Sequence, residues 1–233
     1  KIEAGEIVAL TGESGSGKSL TSLAIMGLLP QGADTTGQIK FGDRDLLKTS
    51  EADLCTLRGN EIGMVFQEPT TALNPVQTIG AQVSETIRIH EKTTRHEAYR
   101  RAAQTLERVG LPNDQFPLTR YPHELSGGQR QRVVIAMAIA VRPKLLIADE
   151  PTTALDVTTQ ATILELLKGL VDEFGIGLMM ITHDLAVVAN MADQIVVMQN
   201  GRVVEAGETQ RIFQHMQHPY TKALFAASTH QVN

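Results

Sequence analysis

Cysteine is nearly absent from this sequence: Cys55 is the only one. That excludes an intramolecular disulfide and a multi-cysteine metal site, and the usage fits a reducing compartment. Long apolar runs are missing as well. The longest, Val133 to Val141, falls far short of the ~20 residues a helical membrane span needs. No secretory leader is visible at the start. An excess of basic residues is lacking too: 21 Lys and Arg against 26 Asp and Glu leave a net charge of −5. That balance argues against a sequence-independent nucleic-acid binder, which carries a basic face, although a local basic patch is compatible with it. Internal repeats and low-complexity tracts are also missing. What is present is an ordinary globular balance, 42% hydrophobic and 20% charged over 233 residues, enough for one large domain or a core with a subdomain.

Against that plain background one stretch stands out. Gly12-Glu13-Ser14-Gly15-Ser16-Gly17-Lys18-Ser19 fits G-x-x-x-x-G-K-[ST]. It lies between an apolar run, Ile7 to Leu10, and a helix-like run from Leu20 to Leu29. This strand–loop–helix setting is the one in which the motif works. Glycines let the backbone wrap a phosphate chain with its N–H groups turned inward. The helix that follows adds its positive N-terminal end. Lys18 would reach the β- and γ-phosphates, and the Ser19 hydroxyl would ligate Mg²⁺. The stretch is read as a nucleotide-phosphate site.

The rest of the chain alternates strands with helices. Strands are expected at Gln38–Phe41, Ile62–Gln67, Lys144–Asp149 and Leu178–Thr182, and helices at Glu51–Arg58 and Thr158–Phe174. Gln194–Met198 and Arg202–Glu205 flank Asn200-Gly201, a two-residue hairpin signal. From Thr78 to about Tyr121 the apolar positions Ile79, Val83, Ile87, Ala98, Ala102, Leu106 and Val109 recur at helical spacing among charges. That segment reads as a small helical insert. The core is therefore expected to be α/β with a mostly parallel sheet.

Further polar residues sit where such a sheet presents side chains to a ligand. Asp149 and Glu150 close an apolar strand, the end from which open α/β sheets bind. Asp149 could hold Mg²⁺ through its water shell, and Glu150 could orient or deprotonate an attacking water. Ser126-Gly127-Gly128 before an apolar helix has two readings: a simple helix cap, or a second anion site serving a neighbour's nucleotide. Gln67 and His183 could be ordinary polar ends of strands. Equally, Gln67 could bind a Mg²⁺ shell or a water, and His183 could donate to a γ-phosphate.

Taken in order, these residues resemble the ATP-binding cassette (ABC) ATPases. Gly12–Ser19 is similar to Walker A, Gln67 to the Q-loop, and Leu125-Ser126-Gly127-Gly128-Gln129 to the LSGGQ signature. Leu145–Glu150 is similar to Walker B with its catalytic Glu, Ala154-Leu155-Asp156 to the D-loop, and His183 to the switch His. The resemblance covers essentially the whole chain. It implies a P-loop NTPase fold with a partial antiparallel β subdomain and a helical insert at about residues 78–123, all within one cassette. It also implies a head-to-tail dimer with a second ABC ATPase domain, two ATPs being sandwiched between Walker A of one and the signature of the other. ATP would then be held by Gly12 through Leu20 and by Ser126, Gly127, Gly128 and Gln129 of the opposite cassette. Mg²⁺ would be held by Ser19, Gln67 and Asp149, while Glu150, His183 and Gln67 would act in hydrolysis.

Longer stretches narrow the resemblance. Phe66-Gln67-Glu68-Pro69-Thr70-Thr71-Ala72-Leu73-Asn74-Pro75 looks like the Q-loop region of dipeptide, oligopeptide and nickel importers, and His218-Pro219-Tyr220-Thr221-Lys222-Ala223-Leu224 like the segment following their core. In that group some members are single cassettes and others, including microcin C type peptide importers, fuse two. The resemblance implies multi-span permease subunits as partners, a solute-binding protein indirectly, and a peripheral place on the cytoplasmic face of the inner membrane. Nucleic acid is not expected as a partner; an ABC ATPase acting on DNA or the ribosome is the alternative class. One departure stands out. Family members usually carry an adenine-stacking aromatic before Walker A, whereas the first Phe here is Phe41 and the first Tyr is Tyr99. With Lys1 as its first residue, the chain is expected to lack native sequence upstream and to bind nucleotide more weakly for it.

Overall fold

A computed structural model describes residues 1–153 and 155–229. In chain order the elements are β1 (Ile7–Thr11), α1 (Lys18–Met26), β2 (Lys40–Phe41), β3 (Arg44–Asp45), α2 (Glu51–Leu57), β4 (Ile62–Val65), α3 (Pro69–Ala72), α4 (Ile79–His90) and α5 (Arg95–Arg108). There follow α6 (Gly127–Ile139), β5 (Leu145–Asp149), α7 (Val157–Phe174), β6 (Gly177–Ile181), α8 (Leu185–Met191), β7 (Gln194–Gln199), β8 (Arg202–Glu208), α9 (Thr209–Gln214) and α10 (Pro219–Thr229).

The main sheet has six strands in the order β4-β5-β6-β1-β7-β8. β4, β5, β6, β1 and β7 run parallel, and β8 returns antiparallel to β7. Strands buried on both faces read as continuous apolar runs, and their side chains still alternate. Leu146 and Ala148 of β5, with Leu178 and Met180 of β6, enter the large cluster that holds the helices α4 to α7. Ile147, Met179 and Ile181 point the other way, against Met26 of α1 and Leu54 and Leu57 of α2. β2 and β3 form a separate two-stranded hairpin near that second face.

The helical stretch begins where Thr78 caps α4 by accepting from the Ala81 N–H. Thr94 caps α5 in the same way through the Glu97 N–H. Ile79, Val83 and Ile87 of α4 and Ala98, Ala102 and Leu106 of α5 have no exposed surface. They share one apolar cluster with α6 and α7 and have no core of their own.

Several boundaries differ from the sequence reading. α1 begins at Lys18, not Leu20, and stops at Met26 because Gly27 takes a left-handed φ of 63°. The Leu28 N–H then donates to the Leu23 carbonyl, closing the helix end. α6 ends at Ile139, inside the apolar run from Val133 to Val141, and the chain turns through Arg142 at φ 55°. β2 is shorter than the strand expected from Gln38, and β5 starts at Leu145. The Asn200-Gly201 turn follows expectation: both residues have positive φ, and Gln199 pairs with Arg202 across them.

Candidate functional site

β4, β5, β6 and β1 are parallel neighbours, so the segments leaving their C-terminal ends meet along one edge. From β1 runs Gly12–Gly17, from β5 comes Glu150, from β6 His183, and from β4 Gln67. Sheet order thus brings together residues up to 183 positions into the chain.

The loop after β1 is tightly built. Lys18 is buried and its Nζ donates to the carbonyls of Gly12 (2.8 Å) and Glu13 (2.9 Å). Burial pushes its ammonium below its ordinary pKa, partly offset by Glu150 and Asp149. Gly12 has φ 150°, and a Cβ there would lie 2.2 Å from the Met198 carbonyl oxygen. Only glycine fits between the loop and β7. From the outside, the Gly201 N–H donates to the Ser16 carbonyl (2.9 Å), and the Glu13 N–H donates to the Tyr220 hydroxyl (2.9 Å). Glu13, Ser14, Ser19 and Leu20 are exposed along the loop and the first turn of α1.

Two carboxylates end β5 in different environments. Asp149 is buried, and its Oδ1 accepts from the Ser19 hydroxyl (3.2 Å). Burial raises its pKa, the Ser19 bond and Lys18 oppose, and Glu150 adds to the rise. Glu150 sits at φ 47°, a left-handed position that costs a non-glycine residue about 1–3 kcal/mol. Its N–H is held by the Ile181 carbonyl (2.9 Å). The side chain gathers three partners from three segments: the Thr153 hydroxyl (2.9 Å) and Gln67 Nε2 (3.3 Å) on Oε2, and His183 Nδ1 (3.3 Å) on Oε1. Gln67 and His183 are exposed, so this carboxylate stands at the surface of the site.

Ser126, Gly127, Gly128 and Gln129 lie apart from that group. Ser126 caps α6 in a reciprocal box: its hydroxyl accepts from the Gln129 N–H (3.3 Å), and Gln129 Oε1 accepts from the Ser126 N–H (2.9 Å). Among the described residues no hydrogen bond joins this segment to Gly12–Ser19. Gly128 is needed for packing, since a Cβ there would sit 2.4 Å from Thr159 Cγ2. Asp156 caps α7 through that same Thr159, by its N–H (3.0 Å) and hydroxyl (2.7 Å). Leu155 lies beside Gly127, and Ala154 is outside the described residues.

Sequence reasoning passed over Thr153, Met198 and the Tyr220 hydroxyl. Thr153 was open to inspection, lying three residues past Glu150; the other two touch the loop only through the tertiary fold.

The sequence pattern of the ABC transporter family matches residues 1–153. The chain belongs to the ABC transporter family. The oligopeptide transport ATP-binding protein OppD of Bacillus subtilis (strain 168) is 52% identical over 228 residues, covering 97% of this chain and 64% of that protein. The glutathione import ATP-binding protein GsiA of Escherichia coli O157:H7 is 51% identical over 233 residues, 97% of this cassette but 37% of that protein. The cassette thus spans under two thirds of the length of both. Among solved structures, the dimeric ATP-binding cassette MJ0796 in a post-hydrolysis state with ADP and Pi superposes with a TM-score of 0.78 at 32% identity. That match covers 90% of this cassette and 88% of MJ0796. No helix among the described residues is long and apolar enough to cross a membrane.

Proposed function

We propose that this cassette binds ATP at Gly12–Leu20 and hydrolyses it to drive import of peptides or peptide-like solutes. The observation that carries the proposal is the convergence on Glu150 of Gln67, Thr153 and His183, beside a phosphate-type loop and the Ser19–Asp149 pair. A strained backbone position that holds one carboxylate for three partners suits a group placed for chemistry.

In this reading Glu150 takes a proton from water as the water oxygen bonds to the γ-phosphorus. The bond to the β–γ bridging oxygen breaks, leaving ADP and phosphate. His183 and Gln67 hold the water and the carboxylate in line, and Lys18 moves from its loop carbonyls to the phosphates. The Ser19 hydroxyl, the Asp149 carboxylate and the Gln67 amide oxygen are hard donors of the kind Mg²⁺ takes, so these residues fit that ion. When bound, Mg²⁺ neutralises phosphate charge. Residues 1–233 act as one cassette, with about 78–123 as its helical subdomain.

The second anion site is Ser126, Gly127, Gly128 and Gln129 at the start of α6. Because it does not reach this chain's own loop, it serves the nucleotide of a second cassette, with the D-loop residue Asp156 shaping the contact. The names of the relatives, oligopeptide transport and glutathione import, favour import over action on DNA or the ribosome. Multi-span permeases are then the direct partners, a solute-binding protein an indirect one, and the cytoplasmic face of the inner membrane the site of action.

The test is affinity purification of the natural full-length protein from gently solubilised membranes. Two multi-span subunits should come along, and their solute-binding partner should identify the cargo. Ribosomal or DNA-repair proteins in their place would overturn the transport reading.

A further inference from the structure

The last helix of the described chain is tied to the first motif. Tyr220, near the start of α10, is buried with its ring among Ala9, Ile195, Val197, Ile212 and Phe225. Its hydroxyl accepts the Glu13 N–H at 2.9 Å. That N–H belongs to the same peptide unit as the Gly12 carbonyl, which accepts Lys18 Nζ at 2.8 Å. No peptide bond among the described residues is cis, so the two groups lie in one plane and point in opposite directions within it. The first peptide of the loop is therefore pinned between Lys18 inside and Tyr220 outside.

Tyr220 is itself anchored. The segment before it is fixed to β8, where the two carboxylate oxygens of Glu205 accept the N–H groups of Gln217 (2.8 Å) and His218 (3.1 Å). His218 Nδ1 in turn accepts the Tyr220 N–H (3.2 Å). The path from Glu205 through Gln217 and His218 to Tyr220 thus ends on the loop backbone.

We infer that Tyr220 is a positioning residue for the nucleotide site, acting by holding the Gly12–Glu13 peptide in its binding orientation. The inference rests on the reading of Gly12–Leu20 as the ATP site. Its logic is a division of labour. Lys18 can steady that peptide only while it bonds to the loop's own carbonyls. Once its ammonium turns to phosphate, the plane loses that support, and Tyr220 remains. The loop then keeps its shape in the state where shape matters, at no cost to Lys18. The brace also makes the segment from His218 to Leu224 a working part of the nucleotide site, beyond a trailing end of the fold.

Tyr220→Phe keeps the buried ring and removes only the hydroxyl. ATP affinity should weaken about three- to tenfold, the range of one net hydrogen bond. KM for ATP should rise in proportion while kcat stays within about twofold. The Glu13 amide should exchange with solvent faster, and the melting temperature should move little. Glu205→Ala should shift affinity in the same direction and by less, and should add nothing to Tyr220→Phe. Unchanged ATP affinity and unchanged Glu13 exchange in Tyr220→Phe would overturn the inference. So would a fall in melting temperature with no change in KM. Lys18→Ala, measured beside it, separates the two levels. If the parent chain binds ATP and Lys18→Ala abolishes binding while Tyr220→Phe matches the parent, the brace alone is wrong. If the natural full-length parent binds no ATP, the site reading fails and the brace fails with it.

Discussion

Replacing Gly128 by alanine adds one methyl group at a place where the fold has no room for it. The new Cβ would lie 2.4 Å from Thr159 Cγ2, more than an ångström inside the ~3.5–4.0 Å at which carbon atoms rest. Thr159 cannot easily yield. It is β-branched and stiff at χ1, and its hydroxyl and N–H are both held by Asp156. The starts of α6 and α7 must therefore move apart, at the cost of overpacking, about 1–3 kcal/mol. The assay is urea unfolding of four chains: the parent, Gly128→Ala, Thr159→Ser and the double variant. Thr159→Ser removes the offending methyl and keeps the hydroxyl for Asp156. The double variant should recover most of the lost stability, giving a coupling of at least about 0.5 kcal/mol between two touching sites. A full-sized loss with no rescue, or no loss in the single variant, would refute the packing argument. ATPase activity of the rescued double variant then shows whether residue 128 must also be bare toward the partner's nucleotide.

Two further outcomes follow from the loop and the sheet end. Gly12→Ala should abolish ATP binding and lower the midpoint of unfolding, because its Cβ would meet the Met198 carbonyl backbone at 2.2 Å; ATP titration by calorimetry and a melting curve read both. Asp149→Asn should abolish hydrolysis yet raise the melting temperature of the nucleotide-free chain. Burial lifts the folded pKa of Asp149, so ionising it costs stability at pH values above the unfolded carboxyl pKa, fully so above the folded one. The difference between variant and parent should accordingly shrink as pH falls through the carboxylate range, and a difference that grew would reverse the argument.

The parts legible in the sequence were those encoded by local spacing. Glycines, Lys18 and Ser19 lie within one turn of chain, and Asp149 and Glu150 end an apolar run, so pattern alone marked them. The alternation of strands and helices gave the α/β class for the same reason. Strand order was not legible, because the β5-β6-β1 pairing joins segments that no local signal relates. The same holds for Tyr220 and Met198, which support the loop from far along the chain. Helix ends were misjudged where an apolar residue continued the pattern past a structural stop: Leu28 and Leu29 extend the run of α1, but left-handed Gly27 had already ended it. At Ser126 both sequence readings were physically sound. The cap is visible in this chain, and the anion-site reading calls for a second cassette, be it a copy of this chain, a different chain or a fused domain.

The most direct test of the account is Glu150→Gln in the natural full-length protein with ATP and Mg²⁺. Glutamine keeps the size of the side chain and can still accept from Gln67, Thr153 or His183, but it cannot take a proton from water. ATP turnover should fall at least about a hundredfold while ATP is retained and closed dimers accumulate on sedimentation. Turnover at the parent rate would show that Glu150 is not the base, and the convergence of three side chains upon it would need a purpose other than hydrolysis.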